Sequence, residues 1–181
     1  MKNEILYLSR QVDKSPLSKG FDRLLDQYIS DGLFVDNNQM ITIKDDLIEK
    51  LSLYREHAGI STVVIGMSGG ADSSLTAILF KKAGWRVIGY TLPIDQNPDE
   101  TVRGKLACSE IGIEHREVDL SELYHISTQH IGNEYIVSND PYKDKIRNGN
   151  IRARLRMITL YNAAHAENGL VASTDNASEF Y

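Results

Sequence analysis

Apolar residues follow two rhythms along this chain. The first is a short unbroken run. Val63-Val64-Ile65, with Thr62 ahead of it, is β-branched and apolar throughout, which predicts a strand buried on both faces. Arg86 to Leu92, Glu114 to Val118 and Leu170 to Ser173 are read as three further strands. The second rhythm is the helical one. Phe21, Leu24, Leu25, Tyr28 and Ile29 outline a short amphipathic helix ended by Asp31-Gly32. Asp36 to Gln39 reads as a turn. Leu47, Ile48, Leu51 and Tyr54 then give a second helix that stops near Gly59. Leu75, Ile78, Leu79 and Ala83 set a helix opening at Asp72-Ser73-Ser74. Helices are also predicted over Glu100–Ile111, ended by Gly112, from Ser121 to about Ile131, and over Ile151–Glu167. Pro93 to Asp99 and Asn139-Asp140-Pro141 are loops.

Strand and helix alternate from residue 60 onward, so the expected fold is α/β with a doubly wound parallel sheet. The expected organisation is an N-terminal helical segment, 1–59, followed by a nucleotide-type domain over 60–181. The N-terminal helices would pack on that domain or on a partner chain. Ligands of such sheets bind beyond the carboxyl ends of the strands, the edge that carries the loops at Ser68, Pro93 and Thr174.

Gly66-Met67-Ser68-Gly69-Gly70-Ala71-Asp72-Ser73 joins the first of these strands to its helix. Two glycines let the backbone turn tightly and approach a ligand. Free N–H groups at the helix start, with the helix dipole, favour an anion there, and the hydroxyls of Ser68, Ser73 and Ser74 add donors. Asp72 belongs in a phosphate cradle only through a divalent cation. The bland reading is a serine-capped helix after a glycine turn. No lysine follows Gly70, so this is no Walker loop, and G-x-G-x-x-G is absent too.

Charge sharpens the picture. The 181-residue chain carries a net −5, which argues against general nucleic-acid binding. No apolar run approaches a membrane span, Met1 to Arg10 is no signal peptide, and no membrane partner is expected. The single Cys108 leaves no internal disulfide or cysteine zinc site and fits a reducing cytoplasm. It reads as a small core residue, and the five histidines show no metal or triad spacing. An enzyme for anionic nucleotides needs a local cationic cluster. Lys143, Lys145, Arg147, Arg152, Arg154 and Arg156, against Asp144 alone in that segment, supply one. A solvated helix face is the alternative. Arg152 and Arg156 share a face while Arg154 points elsewhere.

Ser68-Gly69-Gly70-Ala71-Asp72-Ser73 matches the Ser-Gly-Gly-x-Asp-Ser loop of the N-type ATP pyrophosphatases. Gly149-Asn150-Ile151-Arg152-Ala153-Arg154-Leu155-Arg156-Met157 resembles the Gly-Asn-x-x-Ala-Arg-x-Arg-Met signature of the NAD synthetases within that superfamily. Ser173-Thr174-Asp175-Asn176-Ala177-Ser178-Glu179 is similar to their Gly-Thr-Asp/Asn-x-x-Ser/Ala-Glu, with Ser173 in place of the glycine, and Leu92-Pro93 through Asp99-Glu100 to their loop after the second strand. The resemblance covers roughly Ile60 to Tyr181.

This resemblance implies an adenine nucleotide alpha hydrolase-like, Rossmann-like sheet in the order 3-2-1-4. It implies ATP held by Gly66, Met67, Ser68, Gly69, Gly70, Ala71, Asp72, Ser73 and Thr174, with Mg²⁺ on Asp72 and Glu179 and deamido-NAD on Arg154. Thr174 fits equally as an N-cap, and Glu179 as a first-turn acid favoured by the dipole. The implied reaction is amidation of deamido-NAD through an acyl-adenylate, with ammonia as nitrogen donor and AMP and pyrophosphate released. Catalysis would be positioning and charge neutralisation without a side-chain nucleophile. A homodimer is expected. Family members continue through a mobile loop and a further strand with a lysine. The sequence here reaches Tyr181, so a later segment or a separate chain is expected to complete the site. The alternatives are another N-type pyrophosphatase, tRNA-modifying or GMP synthetase-like, and an inactive nucleotide-binding module.

Overall fold

The computed structural model describes residues 7, 19–32, 35–132 and 140–174. The chain divides into two compact units, Met1–Asp46 and Leu47–Tyr181. In the first, helix α1 (Lys19–Ser30) buries Leu25, and Gly32 takes the left-handed conformation just beyond its end. Helix α2 (Asn37–Ala58) begins in this unit and is ten residues longer at its start than its apolar rhythm indicates. Asp36 to Gln39 is therefore the helix entry and not a free turn. The Gln39 amide donates to Asp36 Oδ1 and the Asp36 amide to Gln39 Oε1, both at 2.8 Å, a reciprocal capping box.

The second unit contains a parallel sheet of order β3-β2-β1-β4, as expected. Its strands are β1 (Thr62–Gly66), β2 (Arg86–Thr91), β3 (Glu114–Glu117) and β4 (Leu170–Ala172). Val64 lies opposite Ile88 of β2 and Val171 of β4. Strand residues alternate between two cores, which is what burial on both faces requires. Val63, Ile65 and Val87 face one side with Ala77, Trp85 and Cys108. Val64, Ile88 and Tyr90 face the other with Leu120, Tyr124, Leu155 and Ala164.

The first layer comes from α3 (Ala71–Lys82), α4 (Pro98–Ile111) and the end of α2. Trp85 ties α2 to this face: its Nε1 donates to Leu51 O at 3.0 Å, and its ring stacks on Tyr54 and meets Phe80 edge-on. The apolar face of α3 differs from the expected one. Ser73 and Ala77 are buried, whereas Leu75 is 57% exposed. Small side chains at i and i+4 let this helix lie close to the sheet, and Leu75 turns outward. Helix α4 is fixed at both ends: Asn97 Oδ1 accepts from the Asp99 amide at 3.0 Å, Pro98 opens the helix, and Gly112 closes it at φ 69°. Burial pushes the Cys108 thiol up to about 11, so it is a core residue.

The second layer is α5 (Ser121–Gly132) and α6 (Pro141–Ala166). Helix α6 also starts ten residues early. Asp140 caps it through the Tyr142 amide at 3.0 Å, with Pro141 as its first residue. Among the described residues no helix is long and apolar enough to cross a membrane.

A charge network links β2 and β3 to the end of α6. Arg86 donates to Glu114 Oε2 at 2.7 Å and to Glu167 Oε2 at 2.8 Å. Arg116 reaches Glu114 Oε1 at 2.6 Å, Glu167 Oε1 at 2.7 Å and Tyr90 Oη at 3.0 Å. The forks of Arg86 and then Arg116 hold both carboxyls below their ordinary range. A lowered folded-state pKa contributes stability above the unfolded value and loses it as pH falls through the folded one. We therefore expect melting temperature to fall as pH drops from roughly 5 to 3. The Glu114→Gln/Glu167→Gln protein should show a flatter acid limb, and an identical limb would mean the network is fully screened at this exposed site.

Candidate functional site

The site is built at the carboxyl end of β1. The Met67 amide donates to Tyr90 O at 2.7 Å, which carries β1–β2 pairing one residue past the strand. The chain then turns through Ser68 and Gly69, the latter at φ 78°. Gly70, at φ −85° and ψ 171°, is the N-cap of α3 and places no side-chain group on the helix start. The first amides of a helix have no acceptor within it. Those of Ala71, Asp72 and Ser73 stand at the outward edge of the sheet.

Three hydroxyls are held around that turn. Ser68 Oγ accepts from the Gly70 amide at 3.2 Å and lies 3.2 Å from Ser73 Oγ. Ser73 and Ser74 donate to Gly70 O at 3.2 and 2.8 Å. The turn is pinned from outside by α4. A Cβ on Gly69 would meet Arg103 Cβ at 2.7 Å and the Gly104 amide nitrogen at 2.8 Å. One on Gly104 would meet Met67 O at 2.5 Å. Two glycines therefore let α4 rest directly on the loop.

A cleft of about 290 Å³ opens beside this turn. Gly66, Met67 and Ser68 form its floor, and Tyr90, Thr91 and Leu92 one wall. Gln96, Glu100, Arg156 and Leu160 close the rest. Arg156 comes from α6 and crosses to the loop after β2. Its Nε donates to Leu92 O and its Nη2 to Gln96 Oε1, both at 3.0 Å, while Gln96 Nε2 donates to Thr101 Oγ1 at 3.1 Å. Burial, and next the neighbouring charge of Arg152, lower the pKa of Arg156, and Glu100 opposes them.

The structure brings Gly66 to Ser73 together on this cleft and its adjoining helix start. Asp72 is exposed on the first turn of α3. Thr174 is half-buried two residues past β4, which pairs with β1, so it lies at the same sheet edge. Glu179 lies outside the described residues. Arg154 is not in the cleft. It is exposed, donates to Asn150 O at 3.1 Å, and lines a separate apolar hollow of about 570 Å³ with Ile131, Ile146 and Ile151. Arg152 and Arg156 share one face of α6, as the helical spacing indicates, and the structure turns that face inward. Tyr90, Gln96 and Leu160 are cleft residues that motif reading left unassigned. Gln96 sits inside a loop read only as turn-forming, and Leu160 carries only an apolar signal.

The exposed Asp72 carboxylate offers one oxygen ligand for Mg²⁺, which takes few protein carboxylates and completes its shell with phosphate oxygens and water; the neighbouring amides suit the phosphates, not the metal. Among the described residues no group of three or more His, Cys, Asp or Glu could hold a metal by itself. His125 pairs with Asp95 at 3.0 Å and His115 Nε2 lies 3.0 Å from Thr91 Oγ1, so both are engaged within the fold.

The NAD synthase family model matches residues 43–181. The NH(3)-dependent NAD(+) synthetase of Alkaliphilus oremlandii (strain OhILAs) is 36% identical over 140 residues, 76% of this chain and 56% of that protein. The protein of the same description from Methanocaldococcus jannaschii is 37% identical over 129 residues, 70% and 48% of the two chains. The chain thus spans about half the length of the curated relatives it matches. Among solved structures, an NMN synthetase from Francisella tularensis aligns at TM-score 0.67 and 29% identity, covering 76% of this chain and 55% of that one. An NAD+ synthetase from Burkholderia pseudomallei aligns at TM-score 0.69 and 26% identity, covering 81% and 66%.

Proposed function

The chain belongs to the NAD synthase family, and on that footing we propose that it takes part in ATP-dependent amidation of deamido-NAD to NAD with ammonia as nitrogen donor. The observation that carries this reading is the turn at Ser68-Gly69-Gly70, leading into a helix start with free amides and opening onto the cleft closed by Arg156. The amides of Ala71, Asp72 and Ser73 and the hydroxyl of Ser68 hold the ATP phosphates. The adenine enters the cleft between Leu92 and Leu160. Thr174, at the adjoining strand end, contacts the same nucleotide.

The chemistry needs no protein nucleophile. An oxygen of the nicotinate carboxylate attacks the α-phosphorus of ATP. The bond to the β-phosphate bridging oxygen breaks and pyrophosphate leaves into the Ser-Gly-Gly turn. The nitrogen lone pair of ammonia then attacks the acyl carbon, AMP departs, and a proton is lost to solvent. The chain contributes placement and charge complementarity. Asp72, with Glu179, would hold Mg²⁺, which supplies charge neutralisation at the phosphates.

Arg154 has a different setting. Ile146, Met157, Ile158 and Tyr161 are exposed around it along α6. An exposed apolar stripe that also carries Lys143, Arg147 and Arg154 suits a second copy of the chain, with Arg154 presented to the dinucleotide where the copies meet.

The test is AMP release by the purified chain from ATP, ammonium and deamido-NAD, with nicotinate mononucleotide and glutamine as comparison substrates. Formation of AMP and NAD that requires deamido-NAD and ammonium is the expected result. Nucleotide binding without turnover would favour the binding-module reading.

Two substitutions separate the roles. Asp72→Asn should leave the melting curve in place and weaken ATP binding roughly tenfold in magnesium, with little change in EDTA. Equal affinity with and without the metal would remove Asp72 from the metal site. Arg154→Ala should weaken deamido-NAD roughly tenfold and leave ATP unchanged. Equal losses for both, read by calorimetry, would move Arg154 to the ATP site.

A further inference from the structure

Arg152 stands one turn before Arg156 on α6, on the same helix face. Its guanidinium carbon lies 4.6 Å over the centroid of the Tyr124 ring on α5. Its Nε is buried without a hydrogen-bond partner. It forms no hydrogen bond or ion pair with any described residue. Arg156 commits two N–H groups, to Leu92 O and Gln96 Oε1, and a guanidinium has five.

Two partly desolvated guanidiniums on successive turns repel each other, and the effect is felt at Arg156, whose pKa is lowered by burial and then by Arg152. Packing on Tyr124 accounts for where the Arg152 ring contact lies. It does not account for leaving the donors beside a second cation with no carboxylate of the described residues paired to Arg152, in a chain with net charge −5. The position along α6 gives the direction. Leu160 lies over Gly66 at the strand end, where an added Cβ would stand 3.4 Å from its Cδ1, Arg156 lines the cleft one turn further out, and Arg152 comes one more turn, about 5.4 Å, beyond it.

We propose that Arg152 and Arg156 form a two-guanidinium subsite at the outer end of the cleft, binding a phosphate group of a nucleotide held there. This rests on the nucleotide reading of the cleft. A phosphate has enough oxygens to accept from both forks at once, whereas one fork satisfies a carboxylate. The phosphate belongs either to ATP or to the dinucleotide.

Calorimetry on the full chain decides this, with Mg-ATP, deamido-NAD and adenosine as probes and Arg152→Gln and Arg152→Lys as variants. The expected result is a roughly tenfold weakening by Arg152→Gln of one phosphate-bearing nucleotide, which identifies the source. Arg152→Lys, which keeps the charge and loses the fork, should recover only part of that affinity, and adenosine should be unaffected. Unchanged affinity for both nucleotides, or an equal loss for adenosine, would overturn the subsite and leave Arg152 as a packing residue. If the wild-type chain binds neither nucleotide, it is the nucleotide reading that fails. Inorganic triphosphate then decides the subsite: binding weakened by Arg152→Gln sustains it, and no binding or unaltered binding overturns it.

Discussion

Gly104→Ala is expected to destabilise the protein by about 3 kcal/mol, even though alanine is the better helix former. Propensity alone would favour the change by about 1 kcal/mol in the middle of α4. Contact geometry opposes it. The new Cβ would stand 2.5 Å from Met67 O and 2.7 Å from Thr91 Cγ2. Met67 O is backbone, fixed because the Met67 amide is bonded to Tyr90 O, so it cannot swing aside as a side-chain end would. Either α4 lifts from the sheet or the β1–α3 turn is pushed outward, and both lose packing around Cys108 and Ala77. In a chain of this size the loss corresponds to a fall in Tm of roughly 6–12 °C. Thermal unfolding of Gly104→Ala beside Gly149→Ala makes the comparison, because a Cβ on Gly149 meets nothing within 4 Å. A Tm for Gly104→Ala at or above wild type would show that α4 has room to move.

The same contact shows where sequence reading stops. The strands were legible because burial on both faces demands continuous apolar runs, and Val63-Val64-Ile65 is one. The end of α4 was legible too, since Gly112 is a local signal, whereas its start at Asn97-Pro98 was read as loop and the strand order came from the family resemblance. The starts of α2 and α6 were not. Their opening residues are exposed, the apolar Met40, Ile41 and Ile43 of α2 and Tyr142 and Ile146 of α6 included, so burial does not mark them, and the caps at Asp36 and Asp140 do. Gly104 gave no warning because a glycine's reason for being in a helix lies in what packs against it, here Met67 and Thr91. The face of α3 was misjudged for a related reason. Periodicity counts large apolar residues, and the buried positions Ser73 and Ala77 are small.

The site divides along the same line. The Ser-Gly-Gly turn could be read from seven or eight neighbouring residues because a strand end, a turn and a helix start are consecutive in the chain. The cleft wall could not. Arg156 and Leu92 are 64 residues apart, and Arg156 and Gln96 are 60 apart. Helical spacing could separate Arg154 from Arg152 and Arg156, but not say which side faced the cleft.

Gly69→Ala is expected to weaken Mg-ATP binding roughly a hundredfold while the sheet stays folded. Gly69 holds φ at 78°, where an L side chain is strained. Its Cβ would also meet Arg103 Cβ at 2.7 Å and the Gly104 nitrogen at 2.8 Å. Relief in either direction moves the turn, and the turn sets Ser68 Oγ against the Gly70 amide and Ser73 Oγ. Losing that alignment turns several donors away from the phosphates together, so the loss exceeds that of one hydrogen bond. Gly70→Ala is the control for stability. Gly70 is extended, at φ −85°, and its Cβ would meet only Ser68 Oγ, at 3.3 Å. We expect its unfolding free energy within about 0.5 kcal/mol of wild type. Far-UV circular dichroism at 25 °C establishes that Gly69→Ala is folded under the conditions of the titration, and isothermal calorimetry with Mg-ATP gives the affinity. If Gly69→Ala binds Mg-ATP within about threefold of wild type, the left-handed turn is not what shapes the cradle, and Gly66 to Ser73 loses its standing as the phosphate loop.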